Sequence, residues 1–129
     1  MKIFLSLMLF AAFAFGGHIQ WQSSYDSALA KAKEQNKDIL LLLLKKDSPR
    51  CKTVFVDIFN KKRVQDEINE KYVAAIAFYE DENSYPIEMF YTQQFPALFF
   101  VSGKDETFLT PSLSGHFTKK ELLEKLKRE

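Results

Sequence analysis

The chain has 129 residues with 18 basic and 17 acidic side chains, a formal net charge of +1. So small a balance gives no global field toward nucleic acid or an anionic membrane surface. At 47% hydrophobic and 15% aromatic the composition is that of a globular core rather than a disordered chain, and a single cysteine excludes an internal disulfide.

Met1-Lys2 is a short basic start, and Ile3 to Phe15 is apolar apart from Ser6. Ala14 and Gly16 then place small residues at the minus-three and minus-one positions of a cleavage site, so residues 1–16 read as a signal peptide cut after Gly16. The alternative is an uncleaved interfacial anchor. The run is shorter than the roughly 20 apolar residues of a membrane span, so no stable span is expected after cleavage. Losing Lys2 brings bases and acids to parity. Residues 17–129 are one domain's worth of chain, exported to the periplasm or secreted.

Ser23 or Ser24 caps a helix that continues from Tyr25 through Glu34, with Tyr25, Ala28, Leu29 and Ala32 at helical spacing for its buried stripe. Ile39 to Leu44 is six consecutive aliphatic residues, the pattern of a central strand covered on both faces. Cys51 to about Asn60 reads as a second helix with Val54, Phe55, Ile58 and Phe59 inward. Asn60 is placed to cap a third, Lys61 to Glu70, carrying Val64 and Ile68. Tyr72 to Tyr79 is a second buried strand, followed by an acidic loop at Glu80 to Ser84.

Pro86 is placed to open a helix through about Thr92, since proline is tolerated in a first turn. Ala97 to Val101 is a third strand, and Ser102 to Asp105 has turn chemistry leading to a short fourth near Glu106 to Leu109. Thr118 with Glu121 forms a capping box for a terminal helix whose apolar side is Leu122, Leu123 and Leu126. Alternating strands and helices, then a hairpin, then a last helix give an α/β fold with helices on both sheet faces and one antiparallel edge.

The segment Asp47-Ser48-Pro49-Arg50-Cys51-Lys52 lies between the first strand and the second helix. It has two readings. In the first, Ser48 is an N-cap and Pro49 the first helical residue, a complete helix start that needs no catalysis. In the second, the helix dipole and nearby Lys45, Lys46, Arg50 and Lys52 raise the thiolate fraction of Cys51 and make it reactive.

Other constellations fall short. His18, His116 and Cys51 are too few and scattered for a zinc site, Glu80 to Glu82 lack calcium-loop spacing, and no glycine-rich phosphate loop exists. No metal or cofactor is expected. Lys61-Lys62-Arg63 reads as a helix's solvated face.

The order of elements, the four-residue motif ending in Cys51-Lys52, the Phe95-Pro96 step before a strand and Ser114-Gly115-His116-Phe117 before the last helix together resemble the thioredoxin-like superfamily. Trp21 and Lys37-Asp38-Ile39-Leu40-Leu41 are similar to its exported, thioredoxin-related branch. The resemblance implies a three-layer sandwich with a mixed sheet of about four to five strands. It maps the nucleophilic cysteine onto Ser48 and the resolving cysteine onto Cys51, and it places a cis-proline at Pro96.

A serine hydroxyl takes no part in thiol–disulfide exchange, so a full dithiol cycle is excluded. The acidic residue some thioredoxins bury beneath the motif also has no counterpart within Ile39 to Leu44. The expected site is therefore Cys51 as thiol and Ser48 at the place of the missing nucleophile. Phe95, Pro96, Pro49 and Arg50 are expected to line a substrate groove. The resemblance implies either thiol exchange or capture, or a non-catalytic peptide-binding, chaperone-like module. Expected partners are exported client proteins or peptides, a thiol reductase and, through Cys51, a disulfide-linked second copy.

Overall fold

The computed structural model describes residues 18–127, and the signal-peptide reading of residues 1–16 lies outside them. The order is α1 (Tyr25–Gln35), β1 (Asp38–Leu44), α2 (Pro49–Phe59), α3 (Lys62–Lys71), β2 (Tyr72–Phe78), β3 (Ala97–Val101), β4 (Phe108–Ser114) and α4 (Lys119–Lys127). The four strands form one sheet in the order β2-β1-β3-β4. β1 and β2 run parallel, while β1–β3 and β3–β4 are antiparallel. An isolated bridge from Gln22 to Ala75 extends the β2 edge by a single contact.

The aliphatic run in β1 is continuous because both faces of the strand are covered. Leu40, Leu42 and Leu44 enter one core cluster with α2, α3 and α4, through Val54, Ile58, Val64, Ile68, Leu122 and Leu126. Ile39, Leu41 and Leu43 enter the other, with Tyr25, Ala28 and Ala32 of α1 and with Tyr85 and Phe90. Strand alternation thus sorts one run into two cores, and the result is a three-layer α/β sandwich. Among the described residues no polar or charged side chain is buried.

Three expectations are corrected. Residues 86–92 form no helix: only 87–89 make a turn, with i→i+3 bonds from Met89 N–H to the Pro86 carbonyl (3.1 Å) and from Phe90 N–H to the Ile87 carbonyl (3.2 Å). So short a segment has little cooperative helical support, and burying Phe90 against Tyr25 and Phe99 decides its path instead.

The fourth strand is later and longer than expected, because Glu106, at φ 60°, sits in the hairpin turn and pairing resumes at Phe108. Pro111 is accommodated because β4 is an edge strand. Finally, Asn60 ends α2 rather than starting α3, since buried Ile58 and Phe59 carry α2 up to it. Lys61 takes the N-cap place of α3 with no side-chain bond.

Candidate functional site

β1 delivers the chain to Lys45, Lys46 and Asp47, and α2 begins at Pro49. Asp47 has φ 58°, a left-handed conformation that aspartate tolerates better than most residues. The turn leaves Ser48 extended, so that its Oγ accepts the Cys51 N–H at 3.2 Å and its carbonyl accepts the Lys52 N–H at 3.2 Å. Pro49 occupies the first helical position, where its missing N–H removes no bond. The helix-start reading of Ser48-Pro49 is therefore realised in geometry.

Cys51 is the third residue of the helix and only 4% exposed. Its Sγ accepts the backbone N–H of Lys45 at 3.5 Å, so the sulfur is tied to the end of β1. Around it opens a cavity of about 670 Å³ lined by Leu44, Pro49, Phe55, Ile76 and Phe78, with Lys45, Lys46, Asp47, Ser48 and Lys52 also on its wall. That volume is within the ordinary range of ligand pockets, and the wall is mainly hydrocarbon. Among the described residues no buried charged side chain lies beneath the motif.

The basic residues of the motif are divided between two aromatic neighbours. Lys46 Nζ stands 6.0 Å from the centre of the Phe78 ring, and Lys45 Nζ stands 5.9 Å from that of Phe95. Both distances are within reach of a cation–π contact. The Lys46 N–H donates to Glu80 Oε1 at 3.1 Å. That bond is the main reason the exposed Glu80 carboxyl lies below its ordinary value, with the Lys45 and Lys46 charges adding to it.

The expected groove residues do not gather in one place. Ser48, Pro49 and Cys51 line the cavity, whereas Arg50, Phe95 and Pro96 do not. Arg50 is exposed. The Phe95–Pro96 peptide bond is cis, Pro96 is buried, and its carbonyl accepts the Gly115 N–H at 2.9 Å. Gly115 has φ 72°, a left-handed conformation that favours glycine, and the nearest atom to where a Cβ would sit is the flexible end of the exposed Gln94 side chain. Phe95 is half-buried with its ring on Tyr79, centroids 5.1 Å apart, and its backbone N–H and carbonyl have no hydrogen-bond partner among the described residues.

Sequence reasoning treated Leu44, Phe55, Ile76 and Phe78 as core, and these four form much of the cavity wall. Their apolar pattern is the same in either role. The half-exposed state of Phe55, Ile76 and Phe78 distinguishes them, and it exists only after β2 and α2 are assembled. Phe55 is held on its outer side by Trp21, centroids 5.8 Å apart, and Trp21 also meets Phe59 at 5.5 Å.

Comparison with known proteins agrees with this architecture. No curated protein sequence matches the chain. A solution structure of a thioredoxin from Thermus thermophilus superimposes with a TM-score of 0.72 at 18% identity, covering 85% of each chain. A DsbH oxidoreductase gives 0.65 at 15% identity, covering 88% of this chain and 85% of the other. The oxidised C-terminal domain of Neisseria meningitidis DsbD gives 0.66 at 13% identity, covering 84% and 98%. Such identities speak for the fold alone. The sequence itself matches the family described as thioredoxin-like over residues 20–103, a span running from the Gln22 bridge through β3 and enclosing both Cys51 and Pro96, and on that match the chain belongs to the thioredoxin-like family.

Proposed function

We propose that this is an exported thioredoxin-like protein acting in thiol–disulfide exchange or thiol capture through Cys51 alone. The observation that carries the reading is the place of the sulfur. It lies in the first turn of α2, with one N–H donor and a cavity beside it. In the step, the Cys51 thiolate attacks a client disulfide, a Cys51–client disulfide forms, and the client's other sulfur leaves as a thiolate. Ser48 holds the helix start and supplies no second sulfur. Release therefore requires an external thiol. A thiolate of the expected reductase partner, or of a second copy of this chain, attacks the Cys51 sulfur, and the client sulfur leaves as a thiolate. The new disulfide to Cys51 remains until a further thiol breaks it.

The second reading is a non-catalytic module for extended peptides. It is favoured by the near-complete burial of Cys51 and by the unengaged Phe95 backbone, whose N–H and carbonyl suit pairing with an extended chain. Trapping in an oxidising extract with wild-type and Cys51→Ser proteins separates the two. Clients released by reductant from wild-type and missing from Cys51→Ser support exchange. Equal capture by both proteins refutes it and supports peptide binding. Alkylation of Cys51 only above about pH 8.5, the ordinary cysteine value, would also count against a reactive thiol.

A further inference from the structure

Of the residues expected to hold a peptide, Pro49 borders the cavity beside Cys51, whereas Arg50, Phe95 and Pro96 do not. Its wall divides into two chemistries. Leu44, Phe55, Ile76 and Phe78 make a hydrocarbon trough, while Lys45, Lys46 and Lys52 bring three cations against one anion, Asp47. The Lys46 ammonium is stationed over the ring of Phe78, itself part of the wall. The nearby Glu80 carboxylate accepts the Lys46 backbone N–H and keeps its charge, so the three lysines stand against Asp47 and Glu80 and leave one net positive charge at the rim.

An apolar trough with a cationic rim fits a molecule with an apolar tail and one anionic head. We propose that this cavity binds a single-chain carboxylate amphiphile of the long-chain fatty-acid class, tail along Phe55, Ile76 and Phe78 and carboxylate at the lysines. A volume of about 670 Å³ is ample for such a tail. The proposal does not rest on thiol exchange, because Cys51 contributes only wall. Binding would cover the sulfur, so occupancy and thiol reactivity are linked even if the thiol has no client.

The chain provides its own reporter. Its single tryptophan, Trp21, packs on Phe55, so filling the trough changes the surroundings of the indole. The experiment titrates the protein with dodecanoate below its micellar concentration, following tryptophan fluorescence and the rate of Cys51 alkylation. Octanoate and dodecyltrimethylammonium serve as comparison probes. Dodecanoate is expected to saturate both signals and slow alkylation.

Octanoate should bind at least about tenfold more weakly, because each buried methylene contributes. The cationic probe should also be at least about tenfold weaker, and Lys45→Glu with Lys52→Glu should narrow or reverse that preference. Both lysines are exposed, so the double variant is expected to fold. Ile76→Glu, checked for folding by circular dichroism, should abolish binding. Absence of saturation by dodecanoate, equal affinity for the anionic and cationic probes, or unchanged binding in folded Ile76→Glu would each overturn the proposal. Failure of mixed-disulfide trapping would leave it standing.

Discussion

Replacing Ser48 by alanine isolates what the serine does in place of a cysteine. In the first turn of α2, Pro49 has no N–H, and the Lys52 N–H bonds to the Ser48 carbonyl, which alanine retains. The one bond lost is from the Cys51 N–H to Ser48 Oγ, 3.2 Å long. Loss of such a cap typically costs about 1 kcal/mol. Because Cys51 is 4% exposed, its N–H is poorly placed to take water instead, which moves the expectation toward about 2 kcal/mol. For a domain of this size 1 kcal/mol corresponds to roughly 4 °C in melting temperature.

Ser48→Asp keeps an acceptor and adds negative charge at the helix's positive end, so it should equal or exceed wild type by a few tenths of a kcal/mol. Urea titrations and thermal melts of the three proteins measure this, with Cys51 alkylation as a second readout. Alanine should lower the urea midpoint at unchanged slope and speed alkylation by loosening the first turn. If Ser48→Ala keeps the wild-type midpoint, or Ser48→Asp falls as far as alanine, the cap contributes nothing and the serine needs another explanation.

Two further expectations concern the rest of the scaffold. A Cβ on Gly103 would run into the backbone carbonyl of Lys37, which cannot swing away as a side chain would, so Gly103→Ala should cost about 1–3 kcal/mol in a urea titration. A cost below about 0.5 kcal/mol would show that the α1–β1 junction yields easily. Tyr25 is raised well above its ordinary value, first by burial and then by donating its hydroxyl to Glu106 Oε1 at 2.8 Å. The folded protein therefore holds this proton where the unfolded chain has lost it. The contribution is complete below about pH 10 and is lost as pH rises toward the folded value. Tyr25→Phe should flatten the fall in urea midpoint between about pH 10 and 12, with a remainder from Tyr85, which burial also raises. An unchanged fall would remove Tyr25 as its source.

The sequence was most legible where one local cause acts alone. Six aliphatics in β1 demand cover on both faces, and Ser48-Pro49 starts a helix by capping chemistry regardless of what surrounds it. Where local and tertiary causes compete, local reasoning gave way. Pro86 suited a helix, but Phe90 had a core to fill, and Pro111 hid an edge strand behind turn-like residues. The cavity was beyond reach for a different reason. Phe55, Ile76 and Phe78 are apolar on either side of the distinction between packed core and open wall, and only the gap left between α2 and β2 decides it.

The bond from Lys45 N–H to the sulfur of Cys51 gives the backbone a view of the thiol's condition. Tyr79 N–H bonds the carbonyl of Leu44, so the sheet continues one rung past β1 on that side, and for the next amide the sulfur stands in for a neighbouring strand. A captured partner would change the charge and crowding of that acceptor. The change would register first in the Lys45 amide, and from there in the loop that carries both the helix cap and the lysines. Whatever happens at this sulfur is announced at the sheet's end, where an amide chemical shift can record it without any label on the thiol.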